Sequence, residues 1–392
     1  IRLSYWEAYA EMEEVGILTR ALASAGQTPA SLGQMLNVCA TNAIARVMLG
    51  RRVVGHGHGG GDKKAEEFKA MVVELMVLAG VFNIGDFIPP LEGLDLQGVA
   101  AKMKKLHKRF DAFLSGILEE HKINGSRGPD GYEDLLSTLI SLNDDSDGGG
   151  GRLTDTEIKA LLLDLVEFQF LFFVMVKGDL KIQAGTDTTS STVEWAIAEL
   201  IRHPAILAQA RQELDSVVGS ARQVLESDLP RLPFLQAVVK ETFRLHPSTP
   251  LSLPRIADES CEINGYFIPK GSTLLVNVWA IARDPDVWSN PLEFRPERFL
   301  PGGERPNVDV RGNDFELIPF GAGRRVCAGM SLGIRMVQLL IASLIHAFEF
   351  DLANGQSAET LSMEEAYGLT LQRAEPLMVH PKPRLAPHVY QS

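Results

Sequence analysis

Cysteine is scarce in this chain. Cys39, Cys261 and Cys327 are the three cysteines among 392 residues, far apart and with no CxxC pair. An odd count at such spacing argues against a disulfide framework or a zinc ribbon, and favours a reducing compartment. Aromatics are sparse at 7%, and Leu, Ala, Val and Glu recur at helical spacing, so a mainly helical protein is expected over an all-β one. Positive charge is short as well. The net charge is -12, and no basic stripe offsets it, which speaks against a nucleic-acid partner. Long hydrophobic runs are missing too. The most apolar stretch, Leu161 to Val176, is interrupted by Asp164 and Glu167 and falls short of the roughly 20 residues a membrane span needs. No spanning helix is therefore expected, and Ile1 to Ala10 carries no targeting pattern.

What is present is a 45% hydrophobic chain, enough for one large core or two ordinary domains, without internal repeat. Residues 11–52 read as two helical stretches punctuated at Thr28-Pro29. Gly55 to Gly61 is a glycine-rich loop whose His56 and His58 have no fixed geometry for a metal. Glu66 to Leu78 is amphipathic. Leu96 to His121 is a long helix with a solvated basic face at Lys102, Lys104, Lys105, Lys108 and Arg109. After a polar loop over Asn143 to Gly151, Thr154 and Glu157 form a capping box for a helix running to about His203. Helices follow over Ala205–Val218 and Pro233–His246. Asn264-Gly265 marks a tight hairpin, a strand is expected over Thr273–Val278, and Phe299 to Phe320 is irregular. Leu332 to Phe348 is a buried helix, and Gly368 to His380 is expected to close the chain as a hairpin.

Four groups of residues carry chemistry. In Phe320-Gly321-Ala322-Gly323-Arg324-Arg325-Val326-Cys327-Ala328-Gly329, glycines let the backbone approach a flat ligand closely. The helix that follows presents its N-terminus to the thiol, and Arg325 is placed to meet an acidic group. Taken alone, the loop also fits a buried structural cysteine beside a glycine turn. Glu241 and Arg244 are three residues apart on one helix face and can pair. Arg298, in Phe294-Arg295-Pro296-Glu297-Arg298-Phe299, can join them in a buried network. Finally, Ala184-Gly185-Thr186-Asp187-Thr188-Thr189 puts a glycine, an acid and hydroxyls inside a helix, a costly choice that suits local opening around a small ligand.

In this order the four groups resemble the cytochrome P-450 family, and the resemblance runs from about Glu13 onward. It implies a mainly α fold with small β-sheets, as a single domain over 1–392. It implies haem as cofactor, with Cys327 as the iron ligand whose thiolate favours O–O cleavage. Phe320, Gly323, Gly329, Arg325 and Arg255 would contact the haem, and Gly185 would leave room for O2. Asp187 and Thr188 would relay protons, and Glu241, Arg244 and Arg298 would form a structural triad. Electrons would come from NADPH through a partner reductase, at the cytosolic face of the endoplasmic reticulum membrane. Val81 to Phe87, Leu94 to Gly98, Gly302 to Arg305 and Val308 to Gly312 are similar to plant flavonoid B-ring hydroxylases, with arginine at 305 and 311 where lysine is expected. Ala366-Tyr367-Gly368-Leu369-Thr370 is similar to the 3′ type, Thr370 favouring a single hydroxylation. Leu251, Leu253, Leu369 and Leu371 could line an apolar pocket for a phenolic ring, although they fit ordinary core positions equally well.

Two departures stand against the family pattern. The anchor, the first strands and the helix with a Trp-x-x-x-Arg haem contact are not found, and Trp6 does not replace it. Val166 to Gln183 stands where a short Phe-Thr step is expected, and reads as an insertion of translated intron. The alternative these departures leave open is a truncated, non-catalytic product that holds no haem.

Overall fold

The computed structural model describes residues 4–26, 28–50, 52, 54, 67, 71, 74, 78, 95–124, 134–144, 153–159, 186–366 and 370–391. The glycine-histidine loop, Phe87 to Pro90, the 166–183 insertion, Gly185 and Leu369 lie outside them. In chain order the helices are α1 (Ser4–Ser24), α2 (Leu32–Leu49), α3 (Val99–Asn124), α4 (Leu135–Asp144), α5 (Asp187–Arg202), α6 (Pro204–Val217), α7 (Pro233–Leu245), α8 (Val278–Ile281) and α9 (Met330–Ala347). The strands are β1 (Ala30–Ser31), β2 (Arg255–Ile256), β3 (Cys261–Ile263), β4 (Tyr266–Ile268), β5 (Thr273–Leu274), β6 (Phe348–Leu352), β7 (Glu365–Ala366), β8 (Gln372–Arg373) and β9 (Met378–Pro383). Helices dominate and the sheets are small, as the composition predicts.

Two compact units emerge. The first comprises Ile1–Leu18 and Gln34–Asp187, the second Thr19–Gly33 and Thr188–Ser392. In the first unit, α3 and α4 pack Leu106, Phe110, Ile117, Leu118, Leu136, Leu139 and Ile140 into one cluster with Met71, Leu78 and Ile158. Residues 67, 71, 74 and 78 are helical, in keeping with the three-and-four spacing. Helix α3 begins where Asp95 accepts the Ala100 and Ala101 N–H groups, each at 3.0 Å. These bonds hold the Asp95 carboxyl below its ordinary pKa. Its lysines at 102, 104, 105 and 108 are exposed, as a solvated face requires. The capping box forms as expected. Glu157 accepts the Thr154 N–H at 2.7 Å, and the Glu157 N–H reaches the Thr154 hydroxyl at 3.2 Å.

The second unit is built on α5, α7 and α9, each with most of its length buried. Proline opens both α6 and α7, where its missing N–H costs nothing. The antiparallel sheet β1-β9-β6 pairs Ala30 with Val379 and Phe348 with Pro383. Buried Glu194 of α5 accepts the Leu377 N–H at 2.8 Å, fixing the entry into β9. The hairpin β3–β4 turns at Asn264 and Gly265, both at positive φ (50° and 82°).

Two expectations are corrected. The strand from Thr273 ends at Leu274, and α8 replaces its tail, because the Asn277 side chain accepts the Ala280 N–H at 3.0 Å and caps a helix. The closing segment is no single hairpin. Gln372 returns to Ala366, whereas β9 pairs with β6 and β1, partners that local pattern does not reveal. The buried helix expected over Leu332 to Phe348 is found as α9, which is long and apolar enough to cross a membrane but is 61% buried within the protein.

Candidate active site

Cys327 sits in a loop closed at both ends. Its N–H donates to the Phe320 carbonyl at 3.0 Å, and the Val326 N–H donates to the Gly323 carbonyl at 3.1 Å. Gly321 and Gly323 take φ of 72° and 71°, a region that side chains disfavour, so the turn requires glycine at both places. The ring of Phe320 meets Phe243 of α7 edge-on at 5.2 Å, which anchors the loop to the core. Gly329 caps α9, and its N–H points at the Cys327 sulfur. Although Cys327 is exposed, surrounding protein atoms push its thiol pKa up, and the Gly329 N–H opposes this only partly. The helix start alone does not make a thiolate; a cation at sulfur would complete the balance.

Arg255 leaves β2 toward this loop, its Nη2 lying 4.0 Å from where a Cβ on Gly321 would stand. Arg325 belongs to the 3-10 turn Gly323–Arg325 and is exposed. Among the described residues neither arginine has a carboxylate partner. A partly exposed thiol, a close-approach glycine and two unpaired guanidiniums fit a flat, anionic, metal-bearing group. A haem would suit this lining, with Cys327 as the side chain that would meet the iron and Arg255 and Arg325 as those that would meet its carboxylates.

Glu241, Arg244 and Arg298 are all fully buried. Arg244 grips Glu241 with two parallel bonds, 2.8 and 2.9 Å, and Arg298 Nε reaches the same carboxylate at 3.2 Å. The Arg295 N–H donates to Glu241 at 2.8 Å. The guanidinium of Arg244 also donates to the Ala282 and Pro291 carbonyls, both at 2.7 Å. Such saturation is what makes buried charge tolerable. Two participants escaped the sequence reading. Glu304 bonds Arg298 at 2.6 Å and Arg295 at 2.9 Å, and Trp288, wholly buried, lies 5.3 Å beneath Arg244. An acid six residues after Arg298 beyond two glycines was the available signal for Glu304.

Asp187 opens α5, and its carboxylate accepts the Asn37 amide at 2.6 Å. Thr188 follows it on the helix, half-buried, and its carbonyl accepts the Thr192 hydroxyl at 2.7 Å. The pocket leucines do not share one environment: Leu251 is exposed, Leu253 half-buried and Leu371 buried. Thr370 is buried as well, and its hydroxyl accepts the Gln372 amide at 3.3 Å.

Fold and site together define a mainly helical protein with an exposed cysteine in a glycine-rich loop and a buried Glu-Arg-Arg network. Comparison with known proteins extends this. The sequence profile described as Cytochrome P450 matches residues 6–379. A flavonoid 3′-monooxygenase of Petunia hybrida is 71% identical over 97% of this chain and 71% of its own length. One of Arabidopsis thaliana is 63% identical over the same shares. A zebra fish cytochrome P450 solved with abiraterone superposes with a TM-score of 0.72 at 27% identity, over 97% of this chain and 78% of the other. The chain belongs to the cytochrome P450 family. It is thus a haem-dependent monooxygenase, driven by NADPH-derived electrons.

Proposed function

We propose that this chain hydroxylates the B ring of a flavonoid at its 3′ position. The observation that carries the reading is 71% identity, over nearly the whole chain, to an enzyme named for that reaction. Haem bound at this loop supplies the oxidising chemistry, by which one oxygen atom of O2 enters the substrate and the other leaves as water at the expense of NADPH. Cys327 holds the iron as a thiolate, and its own N–H, tied to Phe320, keeps the sulfur in place. Arg255 and Arg325 neutralise the carboxylates of the group and fix its orientation. Asp187, oriented by Asn37, accepts and passes on protons, and the Thr188 hydroxyl delivers them at Oγ1. Thr370 sets the shape of the pocket edge, its hydroxyl oxygen accepting the Gln372 amide at 3.3 Å.

The reductase partner and the endoplasmic reticulum membrane belong to the same proposal. Exposed Arg324, close in sequence to Cys327, suits an acidic electron donor. The test is direct. The purified chain, loaded with haem and reduced, is expected to give the thiolate-type Soret band with carbon monoxide. With NADPH and a plant reductase it is expected to convert a 4′-hydroxylated flavanone to the 3′,4′-diol. Cys327→Ala is expected to abolish the band while leaving the far-ultraviolet circular dichroism unchanged. A folded chain that takes up no haem would establish the non-catalytic alternative. Product hydroxylated away from the B ring would sink the substrate assignment.

A further inference from the structure

One face of α5 carries Thr188, Ser191, Thr192 and Trp195, at the three-and-four spacing that aligns side chains along a helix. Three of them converge with Ser248 and Leu371. The Leu371 carbonyl accepts the Ser191 hydroxyl at 2.7 Å and the Trp195 indole N–H at 3.2 Å. The Leu371 N–H donates to the Ser248 carbonyl at 2.9 Å. The Ser248 hydroxyl lies 2.9 Å from that of Thr192. Because Thr192 spends its proton on the Thr188 carbonyl at 2.7 Å, Ser248 is the donor between them. The result is a closed chain of bonds running from Thr188 to both backbone groups of Leu371.

Ser191, Thr192, Trp195, Thr370 and Leu371 are all buried. A contact needed only for packing is made by apolar side chains, as at Val193, Ile197 and Leu200 of the same helix. Buried hydroxyls cost desolvation and repay it by direction. A hydroxyl returned to the carbonyl four residues earlier also adjusts the local bend of a helix, here at Thr188. We propose that Ser191, Thr192 and Ser248 are positioning residues. They hold the Thr370–Leu371 edge in fixed register with Thr188, and so set which carbon of the substrate ring meets the oxidant. This rests on the flavonoid reading above.

Ser191→Ala and Thr192→Val, the latter nearly isosteric, remove the hydroxyls; Thr192→Ser restores one. Two readouts apply, each per mole of bound haem. The first is the ratio of 3′ product to all other hydroxylated products of a 4′-hydroxylated flavanone, with NADPH consumed per product. The second is hydrogen exchange of the Leu371 amide in the purified chain. S191A and T192V are expected to lower the ratio by about threefold or more and to speed exchange about tenfold, whereas T192S stays near wild type. A role in stability alone would lower the yield of holoprotein and leave the product ratio untouched. Wild-type ratio and exchange in S191A and T192V would overturn the inference alone. A wild-type chain that leaves the flavanone unchanged would overturn the substrate reading and this inference with it.

Discussion

Glu304 is the residue whose environment speaks most clearly about pH. Burial pushes its carboxyl up, but the Ser289 N–H and the Arg298 guanidinium outweigh burial and bring it from the ordinary 4.5 to about 2. A carboxylate depressed in the folded state stabilises above its unfolded value, and that contribution is lost as pH falls toward the folded one. Acid unfolding should therefore draw on Glu304 between about pH 4.5 and 2. Glu304→Gln is expected to lower stability at neutral pH and to flatten the pH dependence within that window, measured by urea titration at a series of pH values. An unchanged slope there would mean that the arginines find other partners. The lesson reaches the catalytic end, because Arg298 and Arg295 lie on the segment leading to Cys327. Residue by residue, the buried network was legible where a motif fixes both type and spacing: Glu241, Arg244 and Arg298. The site was not legible where geometry alone assigns the partner, as with Glu304, Trp288 and the Leu371 carbonyl.

Among the elements, helices with local signals were readable and strands with distant partners were not. The Thr154-Glu157 box, the prolines opening α6 and α7, and the Asn264-Gly265 turn each act within a few residues. Strand β9 instead depends on residues 348–352 and 30–31, so its hydrophobic pattern could not say with whom it pairs. One junction between elements went unnoticed. His121, in the last turn of α3, places Nδ1 2.9 Å from the Ile117 carbonyl and Nε2 2.9 Å from Asp134, the residue before α4. The ring thus bridges the end of α3 to the acid that precedes α4. Asp134 also accepts the Ser137 N–H at 2.6 Å, capping α4. Asp134→Ala removes the cap and leaves the buried ring without its acid. A loss of about 3 kcal/mol is expected by chemical denaturation, and Asp134→Asn, which keeps the cap acceptor, should lose less. Equal losses would show that the cap contributes nothing.

For the whole molecule, the cysteine loop, Arg255 and the buried network fall within one compact unit, Thr19–Gly33 with Thr188–Ser392. A ligand that binds only the folded form stabilises by mass action, about 2.7 kcal/mol at a hundredfold excess over its dissociation constant. Haem bound through Cys327, Arg255 and Arg325 should therefore raise the thermal midpoint of the chain, and stripping it should lower the midpoint. The increment divides by chemistry. Removing the sulfur ligand with Cys327→Ala should erase most of it, because metal affinity rests on the ligand atoms themselves. Arg255→Gln should erase a smaller part, leaving the thiolate band intact but weakening haem retention. Differential scanning of loaded and stripped protein, wild type and variants side by side, measures this. If Arg255→Gln retained the full increment, its position beside Gly321 would reflect loop packing instead of carboxylate binding. A lost increment with the thiolate band preserved at saturating haem would place Arg255 on the cofactor.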